Sequence, residues 1–203
     1  MVGPKPTSAF STVKLETATI GPGRRFGRLY FGRYPDPLGL GKTPSRFSDP
    51  RRRKSSNLFG VLYLGESLKV CFLESILRDN RNGAVGDYPL DESELLARQC
   101  AEIEVARPLV LVDLRSDGCV RMGVPSDVPR SSGQQLARSW SLAFHDHPKA
   151  PDGIIYSSRL NEQNNVAVYN RAISKLRTRA TYALINAPDL PNVLDELKVA
   201  IAG

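Results

Sequence analysis

The chain reads as an α+β protein, a mixed β-core flanked by helices in a single domain, and three observations carry that reading. Short apolar runs bounded by turn residues recur along it: Gly60-Val61-Leu62-Tyr63-Leu64, Leu109-Val110-Leu111-Val112-Asp113-Leu114 and Ile154-Ile155-Tyr156, each the pattern of a buried strand. Between them lie segments with helical apolar spacing that share no period, so an internal repeat is absent. With 203 residues, 41% of them hydrophobic and 24% charged, there is chain enough for one core without disulfides or a structural metal.

Taken in order, residues 1–22 are rich in Ser, Thr, Gly and Pro and predict a flexible N-terminal tail, leaving 23–203 as the folded domain. Residues 24–54 are dense in Gly, Pro and Arg with no helical or strand period, and predict an irregular, functional loop region. After the strand at 60–64, Ser67 can cap a helix to about Arg78, with Leu68, Cys71, Phe72 and Ile76 on its apolar face. A loop over 80–91 leads to a short helix at 93–99. Ile103 and Val105 alternate with Glu102 and Glu104, as in a half-buried strand. A loop over 116–129 follows the strand at 109–114, then a helix from Ser132 to about Phe144. Strands are expected at 165–169 and 181–185, and a closing helix at 190–201.

The net charge of +7 and pI near 9.5 favour an anionic partner: nucleotide, nucleic acid or acidic protein. No run of about 18 apolar residues exists, so no membrane helix is expected, and residues 1–19 lack the pattern of a signal peptide. Cys71, Cys100 and Cys119 are odd in number and widely spaced. They support neither a disulfide framework nor a metal site, and a reducing, cytoplasmic setting fits best.

Several motifs invite a chemical reading. Gly39-Leu40-Gly41-Lys42-Thr43 ends like a phosphate-binding loop, but Asp36 stands where that motif needs Gly and Pro44 blocks its helix. His145-Asp146-His147 lacks a third ligand nearby and fits a helix end facing the dipole. Arg51-Arg52-Arg53-Lys54 fits a solvated loop or a docking patch for an acidic partner; without aromatic interleaving it makes a poor nucleic-acid reader. Glu74 differs, because it is nearly the only polar group in Val70-Cys71-Phe72-Leu73-Glu74-Ser75-Ile76-Leu77. A carboxylate there is either used or paired, and Arg78 at i+4 offers a pair at a solvent boundary. Tyr156-Ser157-Ser158-Arg159 leaves a buried strand, a place where ligand-contacting groups gather in α/β proteins.

These pieces, in order, resemble the RES domain family. Ser45-Arg46-Phe47-Ser48-Asp49-Pro50 is similar to the family's Arg-Phe segment. Phe59-Gly60-Val61-Leu62-Tyr63-Leu64-Gly65 followed by Phe72-Leu73-Glu74 is similar to its tyrosine strand and glutamate helix. Asp152-Gly153-Ile154-Ile155-Tyr156-Ser157-Ser158 resembles its late strand, which usually ends Tyr-Pro-Ser; Ser158 takes the family position and Ser157 is its rival. Asn165 falls where the family carries a polar residue. The resemblance runs from about Arg28 to Tyr169.

That resemblance implies a fold like the ADP-ribosyltransferase toxins, with 23–203 as the catalytic domain. It implies NAD⁺ as substrate, no resident cofactor, and cleavage of the nicotinamide–ribose bond by water or inorganic phosphate. It also implies a toxin held by an antitoxin, often a DNA-binding one, and leaves self-association open. In that chemistry Glu74 stabilises the oxocarbenium-like ribose, either holding the ribose hydroxyls or activating the incoming water or phosphate. Arg46 suits the pyrophosphate, Arg28 a second contact or the attacking phosphate, and Tyr63 stacking on the nicotinamide or ribose. Ser158 would bond the ribose or orient Glu74, and Asn165 would fix a polar edge of the ligand. Two alternatives stand beside this reading: an ADP-ribosyltransferase acting on a macromolecule, and a non-catalytic basic module holding nucleic acid through 24–54.

Overall fold

A mixed sheet of eight strands runs through the centre of the molecule, in a computed structural model that describes residues 3–51, 54, 57–78, 80–81, 83 and 85–202. In chain order the strands are β1 (Thr17–Ile20), β2 (Arg25–Phe31), β3 (Val61–Gly65), β4 (Tyr88–Asp91), β5 (Arg98–Val105), β6 (Leu109–Asp113), β7 (Gly153–Ser157), β8 (Asn164–Tyr169), β9 (Leu176–Ala183) and β10 (Val199–Ala202). The large sheet has the order β1-β6-β7-β8-β3-β2-β5-β9, while β4 and β10 form a small parallel pair of their own. Only β6 and β7 run parallel within the large sheet; its other neighbours are antiparallel.

Alternation along the central strands divides the core between the two faces of the sheet. Val61, Ile154, Tyr156, Ala167 and Tyr169 face one side, where they meet Leu136, Ala137, Trp140 and Phe144 of a long helix and the buried rings of Phe47 and Phe59. Leu62, Leu64, Ile155, Val166 and Val168 face the other, against Phe26, Ile103, Leu109 and Leu111. The helices are α1 (Leu68–Phe72), α2 (Glu92–Leu96), α3 (Gly118–Arg121), α4 (Asp127–Arg130), α5 (Gln134–His145) and α6 (Leu190–Glu196). Ser67 caps α1 by accepting from the Val70 amide at 3.2 Å, and α1 continues as a π-helical turn over Leu73–Leu77. Phe72, Ile76 and Leu77 from this element pack with Leu95, Leu184, Leu190 and Val193 in a third apolar cluster.

The α+β architecture and the central strands agree with the sequence reading, but five segments differ. Residues 1–22, expected as a loose tail, hold a 3-10 turn (Ser8–Thr12) and β1, which pairs with β6; Phe10 packs edge-on against Trp140 and Phe144. Residues 24–54, expected to be irregular, contain β2. Its exposed, half-buried and buried positions do not alternate, which hides a strand from a period-two reading. The loops at 80–91 and 116–129 carry β4 and the short α3 and α4. The closing helix stops at Glu196: Lys198 adopts φ 51°, and β10 replaces the expected last turn. Of the basic block, Arg52 and Arg53 lie outside the described residues.

The seat of α1 on the sheet depends on a missing side chain. A Cβ on Gly65 would lie 2.6 Å from both the Cys71 Sγ and the Val70 Cγ1. Gly65→Ala is therefore expected to push α1 off β3 at a cost of about 1–3 kcal/mol, the usual range for overpacking. An unchanged urea midpoint would show that α1 has room to shift.

Candidate active site

The strand register lines up the cleft. Gly65 of β3 pairs with Asn165 of β8, which pairs with Tyr156 of β7, so the three share one row on one face of the sheet. Tyr63 stands on the same face one row along. The π-helical turn lies over this row and presents Glu74 to it. A π turn widens the helix locally and re-aims its side chains, a device frequent at functional sites.

Glu74 is held from three directions. Its Oε1 accepts from the Ser158 hydroxyl at 2.8 Å and from the Asn165 side-chain amide at 3.4 Å, and its Oε2 lies 3.3 Å from the Arg78 guanidinium. The Ser158 hydroxyl accepts from the Leu160 amide at 3.1 Å, which leaves its single proton for Glu74. The i+4 pairing of Glu74 with Arg78 is present, beside the bonds from Ser158 and Asn165.

Around it opens a cleft of about 480 Å3, lined by Arg28, Arg46, Tyr63, Glu74, Arg78, Tyr156 and Asn165, with Gln134 at its rim. The structure thus gathers five of the six residues proposed from the sequence along the cleft wall. Ser158, almost fully buried, sits behind Glu74 and supports it. Its rival Ser157 has the opposite strand parity and lines a separate depression with Asp113 and Arg115. Pleating settles that ambiguity in favour of Ser158 as the serine at Glu74.

Arg46 is presented by a stapled loop. The Tyr63 hydroxyl accepts from the Phe47 amide at 2.8 Å and bonds the Ser45 hydroxyl at 2.9 Å. Phe47 plugs fully into the core, with its ring 5.0 Å from that of Tyr156, and its carbonyl accepts from Ser141 of α5 at 2.7 Å. Between these anchors Arg46, nine-tenths buried or more, gives one N–H to the Ser131 carbonyl at 2.6 Å. Arg28 is held by the carbonyls of Pro37 and Gly39, the latter at 2.8 Å. The turn over 36–39 thus seats an arginine, while Gly41 bridges to Val61 and lines the cleft with Thr43.

The electrostatics follow from these anchors. Burial lowers the pKa of Arg28 and of Arg46; for Arg46 the neighbouring Arg78 charge lowers it further, while Glu74 and Tyr156 partly offset the effect. Burial likewise pushes the Cys71 thiol at the cleft wall up to about 12 and raises the Tyr63 phenol, so neither supplies an anion. Arg28 and Arg46 are bonded to neutral carbonyls, and carboxylates offset their charge only from a distance: Asp36 for Arg28 and Glu74 for Arg46. Elsewhere carboxylates neutralise arginines directly, as Asp49 does Arg51 at 2.5 Å and Asp113 does Arg115 at 2.7 Å. The cleft therefore offers positive potential with a single carboxylate on its wall, the make-up of a site for an anionic, phosphate-bearing ligand.

The histidine pair is not part of it. His145 stacks on Phe59 at 4.2 Å and bonds Asp146, and burial lowers its pKa; His147 bonds the Val13 carbonyl. Among the described residues no cluster of three His, Cys, Asp or Glu side chains could hold a metal. No helix among them is long and apolar enough to cross a membrane.

An α+β sheet carrying an arginine-rich cleft around one buttressed glutamate defines the class. The particular family follows from comparison: the model of the RES domain matches residues 24–192, and the chain belongs to the RES family. It is 39% identical over 126 residues to the probable toxin y4kH of Sinorhizobium fredii (strain NBRC 101917 / NGR234), a match spanning 62% of this chain and 99% of that protein. In fold it is similar to a chain in the crystal structure of the M. tuberculosis MbcT–MbcA toxin–antitoxin complex. The TM-score is 0.53 at 18% identity, covering 89% of this chain and 91% of the other.

Sequence reasoning missed Gln134 of the cleft and Ser131, whose carbonyl anchors Arg46, because nothing around the start of α5 marks them, and it placed Arg78 only as a helical ion-pair partner. It assigned Tyr63 to stacking, whereas the hydroxyl of that side chain also fixes the loop that presents Arg46. Tyr63→Phe should leave the Phe47 amide without an acceptor and destabilise the fold by about 1–3 kcal/mol. Urea unfolding measures this, and a wild-type midpoint would mean that the loop re-forms its bond elsewhere.

Proposed function

We propose that this protein degrades NAD⁺ by breaking the bond between nicotinamide and ribose, and that it is the toxin of a toxin–antitoxin pair. The observation that carries the reading is Glu74, fixed by Ser158 and Asn165 on the wall of a cleft otherwise rich in arginine. Nicotinamide in NAD⁺ is a cationic leaving group and departs without acid catalysis. What needs stabilising is the oxocarbenium-like ribose left behind, and a preorganised carboxylate does that.

The remaining groups fit the rest of the substrate. Arg46 and Arg28 provide forked donors for the pyrophosphate, the Tyr63 ring offers a face to the nicotinamide or its ribose, and Asn165 has an amide at the cavity wall. Ser158 acts through Glu74, because its only proton is already directed there. Water or inorganic phosphate serves as the acceptor. With water, Glu74 is placed to take the proton as the C–O bond forms. With hydrogen phosphate no proton need move, since the dianion attacks with an oxygen already bearing charge.

The toxin assignment draws on the kinship with the Sinorhizobium fredii protein and on the fold shared with a chain of a toxin–antitoxin complex. An antitoxin is then the expected protein partner, and the formal charge of +7 suits an acidic surface on it. A cytoplasmic location follows from the same reading, since NAD⁺ is the proposed substrate.

The test is nicotinamide release from NAD⁺ by purified protein, with and without phosphate. Glu74→Gln keeps the shape but removes the charge, and should lower the rate by about 100-fold or more. Full activity in Glu74→Gln would sink the mechanism. Label from NAD⁺ appearing on a macromolecule would move the assignment to ADP-ribosyl transfer.

A further inference from the structure

We infer that Arg78 is an oxyanion receptor of the cleft, resting on Glu74 in the free protein and engaging a phosphate group of the bound ligand. The inference rests on the reading of the cleft as a site for NAD⁺ or its acceptor. It adds a residue that neither the motif pattern nor the resemblance singled out for ligand contact.

Three observations support it. First, Arg78 follows the π-helical turn directly and lines the cleft, yet its contact with Glu74 is long: 3.3 Å, where charge-assisted N–H···O bonds run at about 2.7–2.9 Å. Second, its Nε is sealed from solvent with no hydrogen-bond partner, the one such buried side-chain nitrogen or oxygen among the described residues. Buried donors are ordinarily satisfied, so an orphan at a cleft asks for an explanation. Third, both guanidinium groups line the same cleft, and the Arg78 charge lowers the pKa of Arg46. Holding two guanidinium groups near each other is unfavourable unless an anion comes between them.

Other arginines on the molecule show the contrast. Arg51 and Arg115 close on carboxylates with two nitrogens each, while Arg28 and Arg46 are anchored on backbone carbonyls. Arg78 has neither arrangement. Its planar fork suits two oxygens of one phosphate, a geometry its single Glu74 contact leaves unused. The plain alternative is an i,i+4 helical ion pair that only orients Glu74.

The phosphate has two possible sources: the pyrophosphate of the dinucleotide, or free orthophosphate acting as acceptor. Calorimetric titration of the intact protein with inorganic pyrophosphate, and separately with orthophosphate, tells them apart. Arg78→Met should weaken the relevant anion about tenfold or more, equivalent to losing one good charge-assisted contact. Arg78→Lys, which keeps charge but not the fork, should recover only part. Loss confined to orthophosphate assigns Arg78 to the acceptor; loss of pyrophosphate assigns it to the dinucleotide.

Glu74→Gln should tighten anion binding in the Arg78 protein, and much less so in Arg78→Met, because the two residues then compete as partners. Wild-type affinity for both anions in a folded Arg78→Met protein overturns the proposal, as does binding of neither anion by the unaltered protein. Failure of the NAD⁺ reading looks different: no nicotinamide is released, whether or not anion binding depends on Arg78.

Discussion

A carboxylate on an otherwise apolar helix has to find donors, and most of what positions this cleft is the provision of donors for Glu74. Two come from the far side of the sheet's central strands: Ser158 just beyond β7 and Asn165 within β8. Antiparallel pairing of β7 with β8 brings these residues together across seven positions of chain. The helix that carries Glu74 can reach them because Gly27 and Gly65 present no side chain beneath it; a Cβ on Gly27 would already touch the Cys71 Sγ at 3.3 Å. The small residues, the π turn and the polar strand ends are therefore parts of one arrangement. Its common condition is that buried charge must be hydrogen-bonded.

The opposite wall obeys a different constraint. Arg46 comes from a loop, and loops are imprecise unless pinned. Here the pins are Phe47 in the core, the Tyr63 hydroxyl on the backbone, and Ser141 of α5 on the Phe47 carbonyl. The loop thereby acquires the rigidity of the sheet and the helix, which a site needs if it is to hold a ligand's charge in place. Because Tyr63 serves both the cleft wall and this anchor, its effects on ligand binding and on stability are coupled.

The residues that sequence reasoning found are those whose chemistry conflicts with their surroundings or whose order matches a family. Glu74 stood out as a charge in an apolar run. Arg46, Tyr63, Ser158 and Asn165 followed from the ordered resemblance to the RES family, not from periodicity. The central strands β3, β7 and β8 were legible because both of their faces are buried, and β6 because its apolar run is continuous although Val110 is exposed. β2 was not, since Arg25 and Arg28 interrupt Phe26 and Tyr30 on a strand whose burial never alternates. β9 was found late and short because it is an edge strand, mostly exposed, with Arg177 and Arg179 bound to Glu104 across the sheet. The packed N-terminus rests on two separated apolar residues, Phe10 and Leu15, too few to make a pattern. The choice between Ser157 and Ser158 required only the pleat.

The distribution of counter-charges carries the functional argument furthest. Through much of the molecule arginine is matched with carboxylate: Arg24 with Glu66, Arg25 with Glu102, Arg177 and Arg179 with Glu104. The pairs of Arg24 and Arg25 with Glu66 and Glu102 stand near the surface and contribute little beyond solubility and local order. Around the cleft the pattern changes, and buried guanidinium groups are held by carbonyl oxygens, which fix their direction but leave their charge. Burying cations this way is unfavourable for the empty protein, as the lowered pKa values of Arg28 and Arg46 express. An arrangement kept at such a cost is understandable if a ligand supplies the missing negative charge. Glu74 cannot do so for all three arginines, and its contact with Arg78 is a long ion pair at 3.3 Å, whereas its bond from Ser158 is close at 2.8 Å. Binding an anionic ligand would then complete the charge balance while leaving Glu74 bonded to Ser158.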